Sequence, residues 1–191
     1  MKYALINGKI LNGTKDMKIQ ENMWILVEDE KIAAIVPENT KLDGYEKVDL
    51  QGRYIMPGLI NMHVHLAGSG KPQKKQRDNE KLVRTIMGSA LTRTVAYRMV
   101  SGFAKEELYS GVTTIRTVGG LGSFDTRLRD EIREGAVRGP RILAANEGIS
   151  VPGGHMAGSL AYEATSAEEA AAYVDRIAKG KPDLIKLMIT G

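Results

Sequence analysis

Two of the three histidines in this chain, His63 and His65, are separated by a single valine in the stretch PGLINMHVHLAGSG. In an extended strand, residues two apart project to the same side. The two imidazoles therefore converge with Asn61 and Leu59, while Ile60, Met62 and Val64 face the other way, a set suited to packing on helices. Two neutral imidazoles aimed at one point offer their lone pairs to a divalent cation at about 2.0–2.1 Å. The pair equally fits a polar strand end hydrogen-bonded to its neighbours, because two ligands do not complete a metal site. His155 lies in SVPGGHMAG, where the glycines let a loop approach a ligand. A surface histidine without a role is the plainer alternative there. Lys186 sits in DLIKLMIT and shares a strand face with Leu184 and Met188, while Ile185, Leu187 and Ile189 form the other. Burial would penalise its ammonium form and leave a neutral amine. Alternatively the stem lies along the strand and the head reaches water.

The elements that must position these residues follow from pattern. Residues 1 to 52 read as a small β-domain of short antiparallel strands, with an Asn-Gly turn at Asn7-Gly8 and polar residues dividing MWILVEDEKIAAIV. From Arg53 the pattern changes to strands followed by helices, the signature of βαβ units around a parallel sheet. Four such strands are expected: Ile55 to His65, Gly111 to Gly120, one from Arg141 in RILAANEG, and one from Asp183 onward. The first helical region, about 79 to 109, should break near Ser101-Gly102. The second carries Leu128, Ile132 and Ala136 at fourfold spacing and should stop at Gly139-Pro140. The third opens on the capping-box pair Ser166 and Glu169 and buries Val174, Ile177 and Ala178.

Composition bounds the function. Hydrophobic residues make up 42% and charged residues 26%, with 27 bases against 23 acids and a net charge of +4. These values describe a globular protein with room for a core. Cysteine is absent, which removes disulfides and thiolate ligands, so any metal would be held by His, Asp, Glu or a modified side chain. The basic run KPQKKQR at Lys71 to Arg77 lacks the interleaved aromatics that nucleic-acid strands stack on and reads as a solvated loop. No signal-peptide-like or membrane-spanning apolar run is present, which makes the cytoplasm the default location and leaves neither nucleic acid nor membrane as an expected partner.

A strand that begins YIMPGLIN, follows a small β-domain and ends in His-x-His resembles the amidohydrolase superfamily of metal-dependent hydrolases. GVTTIR, GPRILAANEGIS, PGGH and DLIKLMITG are similar to its Xaa-Pro dipeptidase and imidazolonepropionase-related branch, a likeness running over nearly all of the chain. The resemblance implies an α/β fold: the N-terminal part of a (β/α)8 TIM-like barrel, about four of its eight strands, over 53–191, preceded by part of a small β-sandwich-type domain over 1–52. It also implies one or two divalent metal ions, zinc first among them. His63 and His65 match the first-strand ligands, and Lys186 matches the fourth-strand lysine that carbon dioxide converts to a bridging carbamate in dinuclear members. His155 matches a histidine that helps bind substrate carboxylate or carbonyl groups. Arg116 and Gly119-Gly120 would support the site. Members often carry an acid directly after that arginine, where this chain has Thr117.

The implied activity is metal-dependent hydrolysis of an amide in a small-molecule dipeptide or N-acyl amino acid. The general-base aspartate is expected outside this chain. A (β/α)8 barrel takes about 250 residues, whereas 191 − 52 leaves 139 here. The chain is therefore expected to be the N-terminal portion of a larger enzyme, inactive in isolation and completed by the other half of the barrel or by another chain, with a homo-oligomer also open. Two alternatives stand beside it: a mononuclear cyclic-amide hydrolase or deaminase of the same superfamily with Lys186 unmodified, and a non-catalytic assembly half that pairs with a completing chain.

Overall fold

The computed structural model describes residues 1–70 and 78–189, so the basic run Lys71 to Arg77 lies outside the described residues. The chain divides into two compact units, Met1–Pro57 and Gly58–Gly191.

The first unit contains seven strands: β1 (Lys2–Ile6), β2 (Lys9–Leu11), β3 (Ile19–Gln20), β4 (Met23–Glu28), β5 (Lys31–Pro37), β6 (Glu46–Asp49) and β7 (Tyr54–Ile55). They form one sheet of order β5-β4-β1-β6 and another of order β3-β2-β7. The expected polar break in MWILVEDEKIAAIV becomes the β4–β5 hairpin, with Asp29 at positive φ in its turn. The Asn7-Gly8 turn forms, but it does not join an antiparallel pair, because β1 and β2 belong to different sheets. A second segment turns this corner alongside it. The N–H of Leu50 donates to Ile6 O at 2.9 Å, Gly52 to Asn7 O at 2.7 Å, and Lys9 to Arg53 O at 3.0 Å. These bonds make β1–β6 and β2–β7 parallel pairs rather than antiparallel ones. Tyr54 and Ile55 are therefore part of the first unit and not the start of the strand that carries the histidines.

The second unit alternates strands and helices: β8 (Leu59–Val64), α1 (Asn79–Met87), α2 (Ala90–Tyr109), β9 (Val112–Thr117), α3 (Phe124–Arg133), β10 (Arg141–Leu143), β11 (Gly148–Ser150), β12 (Ala161–Glu163), α4 (Ala167–Ala178) and β13 (Leu187–Met188). All its strand pairings are parallel, in two sheets of order β10-β9-β8 and β12-β11-β13. The third expected strand is split into β10 and β11 at Asn146, which takes φ +61°, and β12 is an addition that the sequence pattern did not announce. Only two residues of the fourth expected strand are in regular pairing.

Helix boundaries follow local capping more than apolar period. The first helical region breaks at Gly88-Ser89, not at Ser101-Gly102. Asp78 caps α1 by accepting from Lys81 N–H, and Ser89 caps α2 by accepting from Thr92 N–H. Gly102 lies inside α2, where a side chain would meet nothing within 4 Å. Helix α3 ends before Gly135, whose φ of +76° terminates it and leaves Ala136 outside. At α4 the Ser166 hydroxyl accepts from Glu169 N–H, while the Glu169 carboxylate reaches back to Thr165 N–H at 2.8 Å. Ile177 is buried there, and Ala178 is exposed.

The core of the second unit gathers Leu66 from beyond β8, Val100 and Ala104 from α2, Ile115 from β9, Leu128 from α3 and Ile142 from β10. On β8 the face expected to pack on helices is only partly covered: Val64 is buried, whereas Ile60 is 64% exposed and Met62 is also exposed. Strand β8 is the edge of its sheet, and a bulge between Asn61 and Val64 interrupts its alternation. No helix of the described residues is long and apolar enough to cross a membrane.

Leu128 is fully buried and Leu91 is 75% exposed, so their truncations should differ. Leu128→Ala is expected to lower unfolding free energy by about 3 kcal/mol, and Leu91→Ala to change it by less than about 0.5 kcal/mol. Urea denaturation of the two variants measures both.

Candidate metal centre

His63 is the penultimate residue of β8, and His65 directly follows the strand. The β8 bulge sits opposite Arg116, whose Nε donates to Met62 O at 2.8 Å. That bond fixes the backbone immediately before His63. The His63 amide donates to Asn61 Oδ1 at 3.2 Å, and Asn61, His63 and His65 all line one cavity of about 670 Å³, floored by apolar side chains such as Leu66 and Leu121.

The imidazoles meet edge to face with Nε2 to Nε2 at 3.3 Å. The opposite nitrogen of His65, Nδ1, lies 3.1 Å from Gly119 O. A carbonyl only accepts, so Nδ1 carries the proton and Nε2 of the neutral ring is a bare lone pair. Burial holds the His65 pKa below its ordinary value. The Gly119 hydrogen bond opposes this, and the charges of His63, His155 and Lys186 add to the lowering. His65 is thus half-buried, neutral and within electrostatic reach of all three other candidate residues.

Lys186 is half-buried at the entrance to β13. Its carbonyl accepts from Ile149 N–H at 2.9 Å, and a side chain at Gly148 would lie 3.4 Å from Lys186 Cγ, which puts the lysine stem on the Gly148 face of the sheet. His155 is exposed on the loop between β11 and β12. Among the described residues no three His, Asp or Glu side chains form a cage for a metal ion. The structure brings together two imidazoles with convergent Nε2 atoms: in the metal-free pair His65 Nε2 can accept from His63 Nε2–H at 3.3 Å, and with His63 protonated on Nδ1 instead both Nε2 lone pairs are free for a divalent cation, which this donor set fits.

Of three further contributors, Thr117 stands out in the sequence only as a departure from the family pattern, and Ser150 and Asp125 are not visible there. Thr117, fully buried at the end of β9, accepts from Ala145 N–H at 3.1 Å. Ser150, 2% exposed on the same face of β11 as Gly148, has a hydroxyl without a partner. Asp125, in the first turn of α3, is 1% exposed. Acids are ordinary at helix starts, so nothing in SFDTR distinguished it from a solvated one. Burial pushes the Asp125 carboxyl up to about 6, against the hydrogen bonds from Thr117 and the Asn146 backbone and with help from the Glu147 charge.

The profile of the Amidohydrolase family matches residues 54–190, and the chain belongs to that family. A proposed prolidase from Bifidobacterium longum has a similar structure, with a TM-score of 0.75 and 33% identity over 100% of this chain and 41% of that one. A Xaa-Pro dipeptidase with methionine bound in its active site gives 0.74 and 26% over 98% of this chain and 47% of that one. Over 75 residues the chain is 41% identical to the dihydroorotase of Bacillus pumilus, a stretch covering 39% of this chain and 17% of that protein. The chain thus spans less than half the length of these relatives.

Because the folded pKa of Asp125 exceeds its ordinary 3.8, the folded state holds this proton more tightly. Its stabilising contribution is complete below about pH 4 and is lost as pH rises through about 6. Asp125→Asn removes the titration. Relative to wild type, the variant should therefore gain on the order of 2 to 3 kcal/mol between about pH 4 and about pH 7. Denaturation curves across that range test this, and a pH-independent difference would contradict it.

Proposed function

We propose that this chain supplies part of the metal centre of a C–N bond hydrolase, with His63 and His65 as ligands through Nε2, Lys186 as a carbamate ligand formed with carbon dioxide, and His155 contacting substrate. The observation that carries the reading is the 3.3 Å approach of the two Nε2 atoms, with His65 Nδ1 already engaged by Gly119 O. One or two bound divalent cations, zinc first among them, would supply Lewis acidity and a water of near-neutral pKa.

The chain's own residues do the rest. Gly119 O fixes the His65 tautomer, and Arg116 fixes the backbone of His63 through Met62 O. His155, on a loop at the same rim, orients a carboxylate or carbonyl of the substrate. The substrate class is an amide, a dipeptide or an N-acyl amino acid, supported by the likeness to a prolidase and a Xaa-Pro dipeptidase. A second reading, hydrolysis of a cyclic amide, has in its favour the identity shared with a dihydroorotase. We further propose that these strands are about half of a (β/α)8 barrel completed by further strands, or by another chain, which bring the general-base aspartate. Support comes from the edge strands β8 and β13, where Leu59, Ile60 and Leu187 are exposed, with exposed Ile189 directly after β13.

Titration with cobalt(II) or zinc, followed by absorption or calorimetry, tests the centre. Wild type is expected to bind, and His63→Ala and His65→Ala to weaken binding by about tenfold or more. Wild-type affinity unaltered in both variants would end this reading.

A further inference from the structure

Gly119 and Gly120 form the two-residue turn that leaves the end of β9. Gly119 adopts φ +141°, and a glycine pair ranges widely unless something holds it. The carbonyl that sets the His65 tautomer is part of this turn, so its orientation must be imposed from outside. On one side, a side chain at Gly119 would lie 3.3 Å from His65 Nδ1; on the other, a side chain at Gly120 would lie 2.6 Å from Asp125 Oδ2. The turn is thus pressed between the imidazole and a buried carboxylate.

Asp125 also sits among the hydrogen bonds that tie this rim together. The Thr117 side chain and the Asn146 backbone stand beside its carboxylate and favour its ionised form. Asn146 in turn accepts from Gly120 N–H at 2.8 Å through its carbonyl, and from Thr126 N–H at 3.1 Å through Oδ1. The end of β9, the break between β10 and β11, and the start of α3 all meet at this side chain. Oδ2 has no hydrogen-bond partner, so the carboxylate is desolvated without full compensation, a costly choice for packing alone. A helix-start acid serving only the dipole of α3 would do as well in water.

We propose that Asp125 is a positioning residue for His65: its buried carboxylate locks the Gly119-Gly120 turn so that Gly119 O holds the ring in the Nδ1–H tautomer and leaves Nε2 aimed at His63. The consequence for metal binding rests on the reading of His65 as a ligand, whereas the consequence for the tautomer does not.

The test is nitrogen-15 NMR of the three histidine rings in the metal-free full chain, paired with cobalt(II) titration. Asp125→Ala should convert His65 from one tautomer to a mixture and weaken cobalt(II) binding by about tenfold or more. Asp125→Asn, which keeps an oxygen acceptor of the same shape, should retain the tautomer and stay within about threefold of wild-type affinity. Asp125→Ser, whose hydroxyl suits a helix start, is measured alongside in case the alanine variant does not fold, and should behave as alanine. A folded alanine or serine variant that keeps the pure Nδ1–H signal of His65 overturns the proposal, even if its melting temperature has fallen. An asparagine variant that loses the tautomer as completely as alanine also overturns it. If wild type itself fails to bind cobalt(II), the metal reading fails, and the tautomer result still decides the role of Asp125.

Discussion

The site depends on where one proton sits. A neutral imidazole has one lone pair, and the hydrogen bond made by the other nitrogen decides which nitrogen carries it. In this protein that bond is His65 Nδ1–H to Gly119 O, 3.1 Å long and spanning 54 residues of chain. The acceptor arrives because β9 lies parallel beside β8, with Val118 N–H donating to Val64 O at 3.1 Å just before the turn. The sheet register therefore delivers a carbonyl from one strand end to a ring on the next. A one-residue slip would send the histidines to the other face and Gly119 away from them.

Unpaired polar atoms collect at this end of the sheets. Among the described residues, the buried side-chain atoms lacking a partner are Asp125 Oδ2 and Ser150 Oγ. The first faces the turn that holds His65, and the second shares a strand face with Gly148, against which the Lys186 stem lies. Away from the rim, the core around Ile115, Leu128 and Ile142 is apolar and closely covered. Desolvated polar groups reduce stability, and proteins tolerate them mainly where chemistry requires a fixed geometry. The distribution separates a scaffold that holds the fold from a rim that gives up some stability for placement.

Much of this was legible in the sequence because it rests on strong local signals. Period-two alternation predicts Asn61, His63 and His65 on one side; all three line one cavity, but Val64 from the other set lines it too, because a bulge interrupts the alternation. Serine and glycine marked the starts and stops of α4 and the approach of β9 to its turn. What escaped were features fixed by distant partners. The Asn7-Gly8 corner looks like a hairpin until Leu50 to Arg53 is seen turning with it. The bulge at Met62-His63 leaves no trace in residue type, because it is set by the register against Arg116. Asp125 resembles any acid at a helix start, and only the tertiary fold buries it. Fourfold spacing in α3 extended the expected helix past Gly135, where backbone conformation outweighed apolar period.

Lys186 poses the opposite problem, since β13 is two residues long and contributes little holding force of its own. The segment before it is secured by Asp183, whose backbone N–H donates to Ala144 O at 2.8 Å while its carboxylate accepts from Ala144 N–H at 2.8 Å. The same carboxylate takes a charge-assisted bond from Arg129 Nη1 at 2.9 Å, and that guanidinium nitrogen also reaches Lys181 O at 2.9 Å. Arg129 is itself buried in α3, so it is desolvated and committed to these partners. Helix α3 thus carries two devices four residues apart on one turn-to-turn face: Asp125 against the turn that orients His65, and Arg129 against the segment that presents Lys186. The strands supply the candidate ligands, but the third helix coordinates where two of them stand.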